Sequence, residues 1–303
     1  VKSKATDIAT NTESVGVGET FAYDDVAPSS FVTLPTNGAK VKTLTLISGT
    51  SSDVGSSVNN VKVSIRRISD TNFWQGSVWT NITEANSYLL SATGTDSWTL
   101  GTGSVTFNSG NTYRIKSKAT DNFSNVETPG NGITLTFDNV GPSSSVTNPS
   151  NTVRTGSLAE ISGTAIDVTT SITAVKICIK NISTDKYWTG STWETAGADF
   201  YTVSATGTGT WTYGNPGWVS GKQYFVKSKA TDEASNDETP GVGVTFWFDN
   251  TYPSSFLTVP TNNSAFKAAF TYTGTASDLS PGNVSNTKLL IKNVTDTLYF
   301  HSN

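Results

Sequence analysis

Side chains able to do chemistry recur in this sequence in matching sets. The fullest runs from Asp121 through Asn125 to Glu127 and returns as Asp232, Asn236 and Glu238, the same residue types at the same spacing. A second phrase places acids or amides just ahead of a proline: Asp24 and Asp25, Asp138 and Asn139, Asp249 and Asn250. A third supplies single acids, Asp53, Asp167 and Asp278, each shortly after a Gly-Thr step. Carboxylate and amide oxygens with no His or Cys beside them suit a hard cation, Ca²⁺ rather than Zn²⁺. A competing reading needs no ion, because Asp and Asn are ordinary turn residues whose side chains bond nearby backbone N–H groups. No Asp-x-Asp-x-Asp-Gly run is present, so the spacing does not describe an EF-hand.

The elements that must position these groups repeat with them. Lys116-Ser117-Lys118-Ala119-Thr120-Asp121 returns as Lys227-Ser228-Lys229-Ala230-Thr231-Asp232, and a close variant opens the chain at Lys2. The interval is about 110 residues, which indicates tandem domains rather than short stacked repeats. It divides the chain into the end of one repeat (1–25), two full repeats (26–139 and 140–250) and the start of another (251–303). With no Met in its 303 residues, the chain is expected to be a window on a longer one, in preference to neighbouring chains completing each other's ends. Val175, Ile177 and Ile179 alternate with Lys176, Cys178 and Lys180, a period-2 pattern with one buried face. Tyr187-Trp188-Thr189-Gly190-Ser191-Thr192-Trp193 and Phe73-Trp74-Gln75-Gly76-Ser77-Val78-Trp79 read as tight hairpins. Roughly seven short strands per repeat, with turns every 8–12 residues, predict an all-β chain of tandem immunoglobulin-like sandwiches.

Gly110-x-x-Tyr113-x-Ile115-x-Ser117-x-Ala119-x-Asp121 and Gly221-x-x-Tyr224-x-Val226-x-Ser228-x-Ala230-x-Asp232 resemble the penultimate strand of fibronectin type III and bacterial Ig-like modules. In those modules a tyrosine at the strand entry forms a tyrosine corner. The Asp…Asn loop, the Phe-Asp-Asn linker and the Trp hairpin resemble repeats of very large bacterial surface proteins. That resemblance covers the whole chain and implies an adhesin, stalk or surface filament, whose junctions Ca²⁺ stiffens in similar arrays.

In such a sandwich the linker, the loop after the second strand and the last hairpin loop meet at one end. The first repeat would then gather Asp24, Asp25, Asp53, Asp121, Asn125 and Glu127. The next would gather Asp138, Asn139, Asp167, Asp232, Asn236 and Glu238, and Asp249, Asn250 and Asp278 would begin a third set. Clustered carboxylates repel, which calls for a cation or a shifted protonation.

Other features admit two readings each. Trp74, Trp79, Trp188 and Trp193 either cover the core or offer a sugar-stacking platform, the alternative function of a carbohydrate-binding array. Outward cations, Lys62, Arg66, Lys116 and Lys118 in one repeat and Lys176, Lys180, Lys227 and Lys229 in the next, form a solvated stripe or a lateral contact for other copies of the chain or surface glycans. Trp247 is expected to stack on Lys227 or Lys229. Cys178 stands where the first repeat has Ser64 and the next Leu290, which suits a tolerant surface position.

A net charge of −4 argues against nucleic acid. With a single cysteine there is no intrachain disulfide, which fits a bacterial surface protein. No apolar run reaches the ~20 residues of a membrane helix. No nucleophile–base pair, phosphate loop or metalloenzyme helix is present, so catalysis is not expected.

Overall fold

The computed structural model describes residues 1–197 and 200–300. They fall into two compact units, Val1–Val140 and Gly141–Asn303. The first runs β1 (Ser29–Leu34), β2 (Ala39–Val41), β3 (Leu46–Ser52), β4 (Val58–Arg67), β5 (Phe73–Trp74), β6 (Trp79–Thr80), β7 (Leu90–Ser91), β8 (Ser97–Gly101), β9 (Asn111–Asp121) and β10 (Ile133–Phe137). One sheet has the order β1-β3-β8; the other has β2-β10-β9-β4-β5-β6, with β7 paired to β4. β2 joins β10 in parallel, so the chain crosses from the first sheet to the second soon after β1. The second unit repeats this with β11 (Ser143–Asn148), β12 (Val153–Thr155), β13 (Glu160–Ile166), β14 (Ile172–Asn181), β15 (Lys186–Trp188), β16 (Trp193–Glu194), β17 (Val203–Ser204), β18 (Thr210–Gly214), β19 (Lys222–Asp232) and β20 (Val244–Phe248). Its sheets are β11-β13-β18 and β12-β20-β19-β14-β15-β16. β21 (Ser254–Val259) and β22 (Thr273–Ser277) then form an antiparallel pair. The architecture is tandem all-β sandwiches, with the outer hairpin β5–β6 and short strands adding to the expected seven.

Each core follows from alternation. In β9 Tyr113, Ile115, Ser117, Ala119 and Asp121 are buried while the residues between them are half-buried, the two-residue period of a strand with one face inward. Trp98 on β8 lies directly opposite Gly49 on β3 and is fully buried. A Cβ on Gly49 would stand 2.1 Å from the Trp98 ring, so only glycine lets the indole lie flat on the strand. Gly163 and Trp211 repeat the arrangement at 2.2 Å. At the entry of β9 the Asn108 N–H donates to Tyr113 Oη at 2.9 Å, and Val219 does the same to Tyr224 in the second unit. Both hydroxyls thus bond backbone just upstream, the tyrosine corner that the sequence pattern implied.

Cys178 corrects a sequence expectation. It is 1% exposed and Ser64 is 2% exposed, although both point away from the core. In the first unit the segment around Glu84–Asn86 crosses this outer face, and Ser87 Oγ meets Ser64 Oγ at 2.6 Å. In the first unit this position therefore lies under a strap rather than in solvent, which suits the small Ser64.

Candidate metal centre

The loop after β9 is built by its own polar residues. Asp121 Oδ1 accepts the N–H groups of Phe123 (2.9 Å) and Asn125 (2.8 Å), and Oδ2 accepts Asn125 Nδ2 (2.9 Å). Ser124 between them has φ +70°, so the acid closes a tight turn around a left-handed residue. Asp232 with Asn236, and Asp7 with Asn11, make the same closure. This much of the turn-shaping reading is present in every copy.

The turn does not use all the carboxylate oxygens. Asp24, Asp53 and Asp121 each bring a carboxylate oxygen within 4.8 Å of the others. Asp24 Oδ1 accepts the Val26 N–H at 3.0 Å, and Asp53 Oδ2 accepts both the N–H and the hydroxyl of Ser56. Asp24 Oδ2 and Asp53 Oδ1 remain, buried and with no hydrogen-bond partner. Gly55 makes the approach possible, because a Cβ there would lie 2.4 Å from Asp24 Oδ1. Ser56 and Gly55 were not singled out from sequence; the signal was their place just after Asp53, in a loop already marked by its acid.

The charges are partly compensated. The Ser56 hydroxyl holds the Asp53 carboxyl below its usual value, against burial and the neighbouring Asp121 charge, which push it up. Burial pushes Asp121 up, but the Asn125 side chain, the Asn125 and Phe123 N–H groups and Ser56 together carry it below the usual aspartate value. Both acids are therefore ionised at neutral pH, beside a third. Three carboxylates with two unpartnered oxygens suit a hard, oxygen-seeking cation.

The remaining candidate residues are placed differently. Asn125 serves as a donor: Nδ2 also reaches the Asp24 carbonyl at 3.0 Å, tying the linker to the loop. Glu127 is buried, and its carboxylate is occupied by the Ser30 N–H (2.8 Å), the Ser30 hydroxyl and the Ala119 N–H (2.8 Å). Glu238 likewise holds Ser144 and Ala230. These glutamates fasten the first strand of each unit to β9 or β19 and stand outside the carboxylate group. Asp25 accepts the Tyr23 hydroxyl at 2.9 Å, away from the triad. Asn139 and Asn250 are exposed and donate their N–H groups to Ser109 and Ser220.

In the second unit Asp167 accepts the N–H groups of Thr169 and Thr170, and it lies within 4.8 Å of Asp232, oxygen to oxygen. Asp138 is buried and accepts the Ser109 hydroxyl at 2.9 Å. The third pair is also brought together: a Cβ on Gly282 would lie 2.1 Å from Asp278 Oδ2 and 2.7 Å from Asp249 Oδ2. Thr251, chiefly through its hydroxyl, holds the Asp249 carboxyl below its usual value.

The hairpin tryptophans and several of the cations are partnered within their units. Trp74 is part of the first core, and Trp79, Trp188 and Trp193 pack against the cores while half-buried. Their indoles pair at 5.3 Å in each hairpin, and Trp79 and Trp188 donate their N–H groups to the Thr106 carbonyl and the Tyr213 hydroxyl. Lys180 meets Asp185 at 2.6 Å and Lys229 meets Asp237 at 2.9 Å, while Lys176 is exposed. Trp247 stands opposite Gln223 on one side and Arg154 on the other. Lys227 is four residues further along β19, about 13 Å at strand rise, so the register makes Gln223 and not Lys227 or Lys229 the cross-strand neighbour of Trp247.

The strand order and its repetition define tandem immunoglobulin-like β-sandwich units. No family model and no curated protein matches the chain. Among solved structures it is similar to the fibronectin(III)-like modules of Clostridium thermocellum CbhA, at 13% identity and a TM-score of 0.35, over 73% of this chain and 94% of that one. No helix among the described residues is long and apolar enough to cross a membrane.

Proposed function

We propose that this chain is a non-enzymatic structural segment of a long extracellular protein at a bacterial surface, a stalk, filament or adhesin rod with Ca²⁺ bound where linker acids meet each sandwich. The observation that carries the metal reading is the pair of buried, unpartnered oxygens, Asp24 Oδ2 and Asp53 Oδ1, grouped with Asp121. A cation there would satisfy both and join the linker to two loops, restraining the linker's freedom. By repeat equivalence Asp138 takes the place of Asp24 in the next copy, and Asp249 in the one after. The role in length and display is drawn from the tandem sandwiches and the sequence resemblance. Glycan stacking through the hairpin tryptophans is less well supported, since those rings are turned on each other and on the core.

The test is calorimetric unfolding of the 303-residue chain in Ca²⁺ and in chelator. A ligand that prefers the folded state raises the Tm by mass action. Asp24→Ala, and Asp53→Asn, which keeps an acceptor for Ser56, should each remove most of the first unit's gain. An unchanged Tm at millimolar Ca²⁺ would leave the acids as turn-formers and sink the metal reading. Small-angle scattering checks the rod: a maximum dimension that does not respond to Ca²⁺ would remove the stiffening role.

A further inference from the structure

Asn-Gly occurs twice in this chain, at Asn37-Gly38 and Asn131-Gly132, both exposed and both in the first unit. In this dipeptide an asparagine most readily consumes its own side-chain amide. The following backbone nitrogen attacks Cγ, and glycine lets it come close because no Cβ stands in the way.

The fold treats the two places differently. Asn37 Oδ1 accepts the N–H (2.8 Å) and the hydroxyl (3.1 Å) of Thr134, and the Gly38 N–H donates to the Thr134 carbonyl at 2.7 Å. Both reacting groups are thereby held against β10. Among the described residues, neither the Asn131 side chain nor the Gly132 N–H makes a hydrogen bond. The surroundings of Asn131 also make a change there consequential. Gly132 has φ +67°, and a Cβ on it would stand 2.1 Å from the Ile115 carbonyl oxygen. The next residue, Ile133, is buried and paired with Ile115 at the start of β10. An added backbone carbon cannot enter here without moving Gly132 from its seat or Ile133 off its register. The second unit is an internal control. Val242 precedes Gly243 there, at φ +74°, and Asn151 precedes Thr152. Glycine is kept where the turn before β20 needs it, and the Asn-Gly pair is lost at both places.

We propose that Asn131-Gly132 is a self-modification site private to the first unit. The Gly132 nitrogen bonds to Asn131 Cγ as the Cγ–Nδ2 bond breaks. The Gly132 amide proton leaves through solvent, and Nδ2 departs as ammonia. Water then opens the cyclic imide at either carbonyl to give aspartate or isoaspartate, and it is the sole co-reactant. Isoaspartate carries one more carbon in the main chain, so it loosens the β9–β10 turn and with it the first unit. It also adds a negative charge to a chain already at −4. Neither residue belongs to the carboxylate group, so the outcome is independent of Ca²⁺.

Incubating the 303-residue chain at neutral pH, folded and in urea, followed by peptide mass mapping, reads the proposal. In the folded chain Asn131 should convert about a hundredfold faster than Asn37, because three hydrogen bonds must open before Asn37 can react. In urea that protection is gone, and the two sites should react at similar rates. Isoaspartyl methyltransferase labelling of the folded chain should rise with time and stay flat in Asn131→Ser. Ageing should lower the first unit's Tm by about 4 °C or more. Asn131→Asp supplies the charge on an ordinary backbone and should keep the Tm of the fresh protein. Equal rates at the two sites in the folded chain, or an Asn131 that reacts only in urea, would overturn the site. Isoaspartate at Asn131 with an unchanged first-unit Tm would overturn its effect on the turn.

Discussion

The two sandwich units match closely on their inner faces and part company on the outer face of the larger sheet. Inside, Trp98 and Trp211, Tyr113 and Tyr224, and Glu127 and Glu238 occupy equivalent places with equivalent partners. Outside, Arg114 faces Arg66 in one unit where Phe225 neighbours Lys180 in the other. Close packing explains the first half of this contrast, since a core tolerates few changes of volume or unpaired polar atoms. A half-buried face has solvent as an alternative partner, so its charges can vary without unfolding the domain. The lesson is that repetition identifies what the fold requires, and departures from it show where one unit can acquire a private role.

The largest effects should fall on the shared interior. Trp98→Ala and Trp211→Ala should each cost about 3–5 kcal/mol, as deletion of a buried aromatic generally does. Each should lower one calorimetric transition, thereby assigning that transition to its unit. The indoles differ in one respect: Trp211 Nε1 donates to the Thr164 carbonyl at 3.2 Å, whereas Trp98 Nε1 is buried with no partner. Replacement by Phe should therefore be worse at position 211 than at 98. Equal losses at both would show that this hydrogen bond contributes nothing to the difference between the units.

A smaller pair of effects should come from the buried glutamates. Glu127 and Glu238 each receive two backbone N–H groups and a serine hydroxyl. Gln offers one acceptor oxygen and turns an NH₂ toward donors, leaving buried groups unpaired. The expected cost is about 1–3 kcal/mol in either unit, measured by denaturant unfolding. A loss confined to one unit would break the equivalence of the interiors. A rise in stability would mean that these carboxylates are retained for something other than holding the first strand.

Much of this was legible in the sequence, for identifiable reasons. The interval between repeats, the alternation along Tyr113–Asp121 and the Gly-x-x-Tyr entry are short-range patterns, and strand geometry leaves them few interpretations. The grouping of Asp24, Asp53 and Asp121 was accessible because loop positions follow from strand order. What escaped was decided by contacts across the fold. Glu127 sits six residues after Asp121 and looks like a fellow ligand, yet its partner Ser30 lies on a strand remote in sequence. Cys178 carries an outward strand parity, yet it is buried, as is Ser64 at the same place in the first unit. Trp247 has the correct face for the lysines but the wrong register, and alternation fixes face without fixing register.

The smallest effect concerns acid, and it sharpens what is special about the first unit's junction. Asp53 and Asp121 both have folded carboxyl values below the usual 3.8. A depressed value means that the folded state favours the ionised form. The corresponding stability is fully present above the unfolded value and is lost as pH falls through the folded one. The transition assigned to the first unit should thus hold level from neutrality to about pH 5 and decline below about pH 4. Asp121→Asn keeps an oxygen for the turn and removes the ionisation, so it should flatten that decline. Bound Ca²⁺ requires the same carboxylates ionised, and its stabilising effect should vanish over the same window. A first-unit transition that kept its Ca²⁺ gain below pH 3 would mean that the ion sits on other ligands, and the comparison of junctions would have to be redrawn around them.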